Sequence, residues 1–227
     1  MTQTRPRIGI LGGTFNPIHL GHLRAAEEVI EALELERMIF VPCAAPPHKT
    51  HRPTDPIAPA AARLEWVQIA IRDNPRFEVD SIEIDRGGRS YTIDTLKEIG
   101  QRIAPELPIF TIGQDAFTEI DSWRDPREVF SLAHFAVITR PPVAALSLAD
   151  WLPRCIKADM DPSRDGQNAQ NRHTRTWIRL VDITSLDISS SEVRRRIRSG
   201  RSIRYLLPPA VAEAVEKSGM YAGGEPR

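Results

Sequence analysis

Between residues 8 and 41 the chain passes from an apolar stretch through a glycine-rich turn into an amphipathic segment, then back to a second apolar stretch. Nothing else in the sequence limits the fold as strongly. Ile8 to Leu11 is apolar throughout, as a strand buried on both faces requires. From Gly21 to Leu35 the residues Leu23, Ala26, Ile30 and Leu33 recur near helical spacing. Met38 to Val41 is apolar again. Strand, helix and strand in this order make a βαβ unit with its crossover helix, and such units build parallel sheets.

The alternation continues down the chain. Ala44 to Pro59 is rich in proline and polar residues and reads as a loop. Ala60 to Arg72 places Leu64, Val67 and Ile71 on one helical stripe. Phe77 to Ile84 alternates apolar and polar residues, as a strand pair or a bent strand would. Asp94 to Ile103 fits a helix, and Pro108–Ile112, His134–Thr139 and Trp177–Ile183 fit short strands. Two helices, Ser190–Ser199 and Pro209–Ser218, follow. Lys157 to Arg175 has almost no bulky apolar residue and reads as a polar surface excursion. The expected architecture is α/β: a Rossmann-like, doubly wound, mostly parallel sheet with helices on both faces, one domain over residues 1–227.

In such a fold, ligands bind at the carboxyl ends of strands, and phosphates favour the amino ends of the helices that follow. The turn at that place is Gly12-Gly13-Thr14-Phe15-Asn16-Pro17-Ile18-His19-Leu20-Gly21-His22. Gly12 and Gly13 tolerate positive φ and leave room for backbone N–H groups to approach an anion. His19 and His22 stand at i and i+3, on one face of the starting helix, where imidazole nitrogens donate to phosphate oxygens. A metal pair is disfavoured: no third ligand lies nearby and HExxH is absent.

Three further places carry polar chemistry. Pro46 and Pro47 stiffen the loop before His48 and Lys49; Lys49 reads either as a phosphate contact or as a solvated surface lysine. Ser189 and Glu192 form an S-x-x-E capping box, so a helix amino end with serine hydroxyls and Arg194 becomes a triphosphate site, or else an ordinary capped helix. Arg195, Arg196, Arg198 and Arg201 read as its solvent face. Gly113 and Asp115 follow the strand Pro108–Ile112, where Asp115 either accepts ribose hydroxyls or caps the next helix. Trp123 either stacks on a flat heterocycle or belongs to the core, for which Trp66 is the better candidate.

Composition narrows the function. Lys plus Arg and Asp plus Glu number 30 each, so the net charge is zero, unlike that of a nucleic-acid binder. Two distant cysteines, Cys43 and Cys155, exclude a disulfide framework and point to a reducing cytoplasm. No run is long and apolar enough to span a bilayer, and neither GxxxxGK[ST] nor GxGxxG occurs.

The string GGTFNPIHLGH resembles the GG[ST]F[DN]PxHxGH signature of nicotinate-mononucleotide adenylyltransferases, members of the HxGH nucleotidyltransferase superfamily. The resemblance recurs in Pro46-Pro47-His48-Lys49, Ser90 to Leu96, Gly113-Gln114-Asp115, Trp123 and Ile188 to Arg194, and covers all but about Pro141 to Thr176. It implies adenylyl transfer from ATP to nicotinate mononucleotide in NAD biosynthesis, with catalytic roles for His19, His22, Lys49 and Arg194. It implies ATP binding by Gly12, Gly13, Thr14, Phe15, Gly113, Asp115, Ile188, Ser189 and Ser190. It places the mononucleotide against Asn16, Lys49, Tyr91, Thr92, Asp94 and Trp123, with Trp123 over the pyridine ring. Mg²⁺ is expected on the ATP phosphates, with no protein metal cage. Asn16 stands where many relatives have Asp, and Ser191 where the family's ISSTxxR has Thr. Partners are thus the two small-molecule substrates, no nucleic acid and no membrane, with a homo-oligomer left open. The rival readings are pantetheine-phosphate or nicotinamide-mononucleotide adenylyltransferase, and a non-catalytic nucleotide sensor on the same fold. A class I aminoacyl-tRNA synthetase would need an anticodon-binding domain for which the chain has no room.

Overall fold

The computed structural model describes residues 7–46, 56–139 and 147–222. Eight strands occur among them: β1 (Ile8–Gly13), β2 (Arg37–Pro42), β3 (Phe77–Val79), β4 (Ile109–Gly113), β5 (His134–Thr139), β6 (Met160–Pro162), β7 (Asn168–Asn171) and β8 (Trp177–Asp182). The helices are α1 (Leu20–Leu33), α2 (Ala60–Ile71), α3 (Ile82–Arg86), α4 (Thr92–Ile103), α5 (Gln114–Thr118), α6 (Pro126–Leu132), α7 (Leu148–Trp151), α8 (Ser190–Arg198) and α9 (Pro209–Lys217). The strands follow the order β3-β2-β1-β4-β5-β8-β7-β6 in one sheet, in which β1–β4, β4–β5 and β5–β8 pair in parallel. The α/β fold expected from the alternation is therefore present.

The described residues group into two compact units. The first comprises those of Met1–Gly12, Glu27–Ile39 and Tyr91–Ser185. Its sheet interior is apolar: Ile10, Ile109, Phe135, Val137 and Ile178 are all buried. Phe110, Phe130 and Phe135 pack as an aromatic group, with Phe130 and Phe135 centroids 4.5 Å apart. The second comprises those of Gly13–Ala26, Phe40–Ser90 and Leu186–Arg227. Here α2 packs on α9, and the fully buried Trp66 meets Tyr221 at 6.0 Å.

Two expectations are corrected. The region Phe77 to Ile84 is not a strand pair; β3 stops at Val79 and α3 begins at Ile82. The Asp80 side chain accepts from the Ile82 N–H at 2.9 Å, a local turn bond that ends the strand despite the alternating pattern. The polar stretch Lys157 to Arg175 is not a bare excursion. It folds as an antiparallel hairpin, β6–β7, that extends the sheet beside β8. Backbone pairing and local polar bonds hold it: Ser163 Oγ bonds both ways with Asn168, and Asn171 Oδ1 accepts from the His173 and Thr174 N–H groups. A strand at a sheet edge can be made with little apolar side-chain area, so a hydrophobic-pattern search misses it.

Candidate active site

The turn between β1 and α1 belongs, from Gly13 onward, to the second unit. Neither glycine takes a positive φ; Phe15 does, at 46°. The glycine at 13 instead supplies space, since a Cβ there would lie 3.0 Å from the Phe15 ring. That ring is buried, edge-on to His22 at 5.2 Å and tilted against Phe40 at 5.9 Å.

The two histidines form a reciprocal cap on α1. The His19 N–H donates to His22 Nδ1 at 3.2 Å, and the His22 N–H returns to the His19 carbonyl at 2.9 Å. An imidazole here does what Glu or Gln does at the third helical position of a capping box. Because Nδ1 accepts, the proton of neutral His22 sits on Nε2. The expectation that either nitrogen donates is thereby narrowed to one for His22. The rings stack at 3.7 Å, with His19 buried and His22 half-buried. Gly21 makes this stack possible: a Cβ there would meet the His19 ring at 3.0 Å and the Ile188 carbonyl at 3.6 Å.

The predicted convergence of α8 on this turn is observed. Ser189 caps α8, its side chain accepting from the Glu192 N–H at 3.1 Å. Ser190 Oγ donates to the Pro17 carbonyl at 2.9 Å. Arg194 is buried and donates to the Asn16 carbonyl at 2.7 Å and to Ser191 Oγ at 3.1 Å. The guanidinium is therefore anchored to the turn's main chain beside the histidines. Glu192 is held below the usual carboxylate range, chiefly by its hydrogen bond with Arg195; on the face expected to be basic and solvated, Arg195 and Arg196 both pair with it.

Asn16 behaves differently from the substrate contact expected of it. Its side chain is buried; Nδ2 donates to the Pro56 carbonyl at 3.1 Å, and Oδ1 accepts from the Ala58 N–H at 2.9 Å and from the Tyr221 hydroxyl. The amide is occupied in joining three segments of the second unit. The missing carboxylate at this position is thus replaced by a structural clamp. Arg63 and Tyr221, which complete the clamp, were not singled out by sequence. Arg63 stands three and four residues before Trp66 and Val67, on the buried helix stripe, and that was the available signal.

The other candidates lie in the first unit. Tyr91 and Thr92 open α4, and Asp94 sits in its first turn. Arg124 lies over the Tyr91 ring at 5.0 Å and pairs with Asp94 at 3.6 Å, a link that sequence reasoning missed. Trp123 is half-buried, edge-on to Phe110 at 6.3 Å, whereas Trp66 is the core tryptophan as expected. Gly113 and Asp115 are exposed at the end of β4; the N-cap of α5 is Gly113, so Asp115 is not the capping residue. A Cβ on Gly113 would meet nothing within 4 Å. Gly12 ends this unit's share of β1, with Phe110 3.6 Å from where its Cβ would be. A cleft beside α6, lined by Arg127, Asp159, Asn171 and His173 among others, contains none of the expected site residues.

Lys49, with Pro47 and His48, lies outside the described residues. Among the described residues there is no group of three or more His, Cys, Asp or Glu side chains able to hold a metal ion. The donors gathered at the turn are N–H and O–H groups, which suit phosphate oxygens and not a divalent cation.

The α/β fold agrees with the comparisons to known proteins. A sequence profile of the cytidylyltransferase-like family matches residues 10–196. The probable nicotinate-nucleotide adenylyltransferase of Citrifermentans bemidjiense is 43% identical over 95% of this chain and 98% of its own length. That of Methylococcus capsulatus is 41% identical over 95% and 99%. Among solved structures, Plasmodium falciparum nicotinic acid mononucleotide adenylyltransferase complexed with NaAD superposes with a TM-score of 0.70 at 19% identity, covering 96% of this chain and 98% of that one. The fold and site define a nucleotidyltransferase of the cytidylyltransferase-like class. Within that class the chain belongs to the nicotinate-nucleotide adenylyltransferase family.

Proposed function

We propose that His19, His22, the amino end of α8 and Arg194 form the triphosphate-handling part of this nicotinate-nucleotide adenylyltransferase. The enzyme's reaction is adenylyl transfer from ATP to nicotinate mononucleotide, giving nicotinate adenine dinucleotide and pyrophosphate. A phosphate oxygen of the mononucleotide attacks the α-phosphorus of ATP, and the bond to the bridging oxygen of pyrophosphate breaks. The nucleophile is already an anion at neutral pH, so no general base is needed. Catalysis then consists of in-line positioning and neutralisation of the charge that builds on the α-phosphate and leaving pyrophosphate. The observation that carries this reading is the reciprocal cap: it fixes the His22 proton on Nε2 and orients the ring without using that proton for the cap.

In the same proposal Gly12, Gly13, Thr14 and Phe15 shape the wall against which ATP lies, and Ile188, Ser189 and Ser190 present helix-end donors. Gly113 and Asp115 take the adenosine, with Asp115 accepting ribose hydroxyls. Tyr91, Thr92, Asp94 and Trp123 recognise the mononucleotide, Trp123 through its ring. Lys49 is a further phosphate contact. Mg²⁺ enters with ATP, held by the phosphates. Both cysteines are free thiols, which fits a reducing cytoplasm. No helix among the described residues is long and apolar enough to cross a membrane.

The test is pyrophosphate release from MgATP with nicotinate mononucleotide, nicotinamide mononucleotide or 4'-phosphopantetheine as acceptor. Fastest turnover on the first supports the reading. ATP binding without release on any acceptor would replace it with a nucleotide sensor.

A further inference from the structure

Arg63 is the most deeply buried charged side chain among the described residues, 1% exposed. Arginine is rarely buried unless its donors are satisfied, and it keeps its charge in any protein. Its partners come from three segments of the second unit. Nε donates to the Ala58 carbonyl at 2.9 Å, Nη1 to the Thr14 carbonyl at 2.7 Å, and Nη2 to the Ala44 carbonyl at 2.9 Å. Nη1 also lies 3.8 Å from Cys43 Sγ. The planar fork thus ties the turn after β1 to the segment after β2 and to Ala58, two residues before α2. Ala58 is shared: its N–H donates to Asn16 Oδ1, whose main-chain carbonyl in turn accepts from Arg194. The stretch Thr14 to Asn16 is held at one end by Arg63 from α2 and at the other by Arg194 from α8.

The Cys43 thiol registers how closed this place is. Burial pushes it up, while Arg63 acts to lower it and the buried Glu83 to raise it. A carboxylate partner would neutralise Arg63 equally well. The choice of three main-chain acceptors instead gives it a geometric consequence, since it fixes where three backbone segments stand.

We infer that Arg63 is a positioning residue for adenylyl transfer, setting the turn Thr14–Asn16 so that the histidines that follow meet the α-phosphate in line. The inference rests on the triphosphate role proposed for that turn. A misplacement of 1 Å at a reacting centre costs on the order of 10²-fold in rate. Lysine keeps the charge but offers one compact donor head, which cannot span three carbonyls.

The experiment compares Arg63→Lys and Arg63→Met with the wild type and with His22→Ala, in full-length protein. It reads kcat, KM for both substrates, and thermal midpoint. The expected result is a kcat lowered about 10–100-fold in Arg63→Lys and further in Arg63→Met, with KM for nicotinate mononucleotide within about threefold of wild type. A role in stability alone would lower the thermal midpoint and leave kcat of the folded protein unchanged. A folded Arg63→Met with kcat within about threefold of wild type overturns the inference. So does failure of both variants to fold, which makes Arg63 a stability residue only. If His22→Ala also keeps its kcat, the triphosphate role of the turn fails with it; if His22→Ala loses activity while the Arg63 variants do not, only the positioning role fails.

Discussion

The two units hold their candidate residues in opposite ways. In the second unit His19, Asn16, Arg63 and Arg194 are buried; hydrogen bonds to main-chain atoms fix the side chains of Asn16, Arg63 and Arg194, and the His19 ring stacks on His22. In the first unit Tyr91, Asp94 and Trp123 are half-buried, and Arg124, which joins two of them, is exposed. Rigid, desolvated donors stabilise charge that develops in a transition state, because they need no reorganisation at that moment. Partly exposed aromatic and charged groups suit recognition of a ground-state substrate, where some adjustment is tolerated. On the proposed function, the contrast puts rate in the second unit and substrate affinity in the first.

Substitutions can break that contrast. His22→Ala is expected to lower kcat by roughly 10²–10³-fold with little change in ATP affinity, the pattern of a lost transition-state donor. Steady-state kinetics and calorimetric ATP binding check it; a near-normal kcat removes the histidine from catalysis. Next in size, Trp123→Ala should raise KM for nicotinate mononucleotide about tenfold and leave kcat within a few fold, consistent with the loss of one stacking face. If the variant instead loses its fold at unchanged KM, the tryptophan belongs to the core and the contrast weakens. A smaller effect of the same kind, about threefold in KM, is expected for Arg124→Ala, since an exposed ion pair and cation–π contact contribute little each.

Two further measurements probe stability instead of turnover. Ser189→Ala removes the cap of α8 and should cost about 1 kcal/mol by chemical denaturation. The His134 imidazole is depressed to about 4 by burial first and by Arg7 second; its Nδ1 accepts from the Trp177 N–H at 3.2 Å. An unfolded chain binds this proton near pH 6.5 and the folded one does not until about 4, so the contribution is whole above 6.5 and is lost as pH falls toward 4. His134→Gln should flatten the stability profile between those values. A profile as steep as the wild type's would assign the acid sensitivity to other groups.

Much of this was readable in advance. β5 begins and ends where the apolar run does, and β1, β2, α1, α2, α8 and α9 fall within a few residues of their hydrophobic patterns. The reason is that a strand buried on both faces or a one-sided helix leaves its period in the sequence. The S-x-x-E cap at Ser189 was legible too, because capping is a local bond over three residues. The hairpin β6–β7 was not, since a polar hairpin held by backbone pairing leaves no apolar signature. Asn16 was expected as a substrate contact from the family resemblance alone; only the arrival of Ala58, Pro56 and Tyr221 shows where its amide is spent.

Local chemistry by itself determined the α/β class, the place of the glycine-rich turn after the first strand and the residue types available there. What the tertiary structure alone decided is which of those residues are committed to one another. Phe15, not a glycine, takes the positive-φ backbone in the turn, and two buried arginines close on the same short turn from helices far apart in the chain. A carbonyl accepts from whichever donor folding brings within reach, and no spacing rule along the chain encodes that meeting.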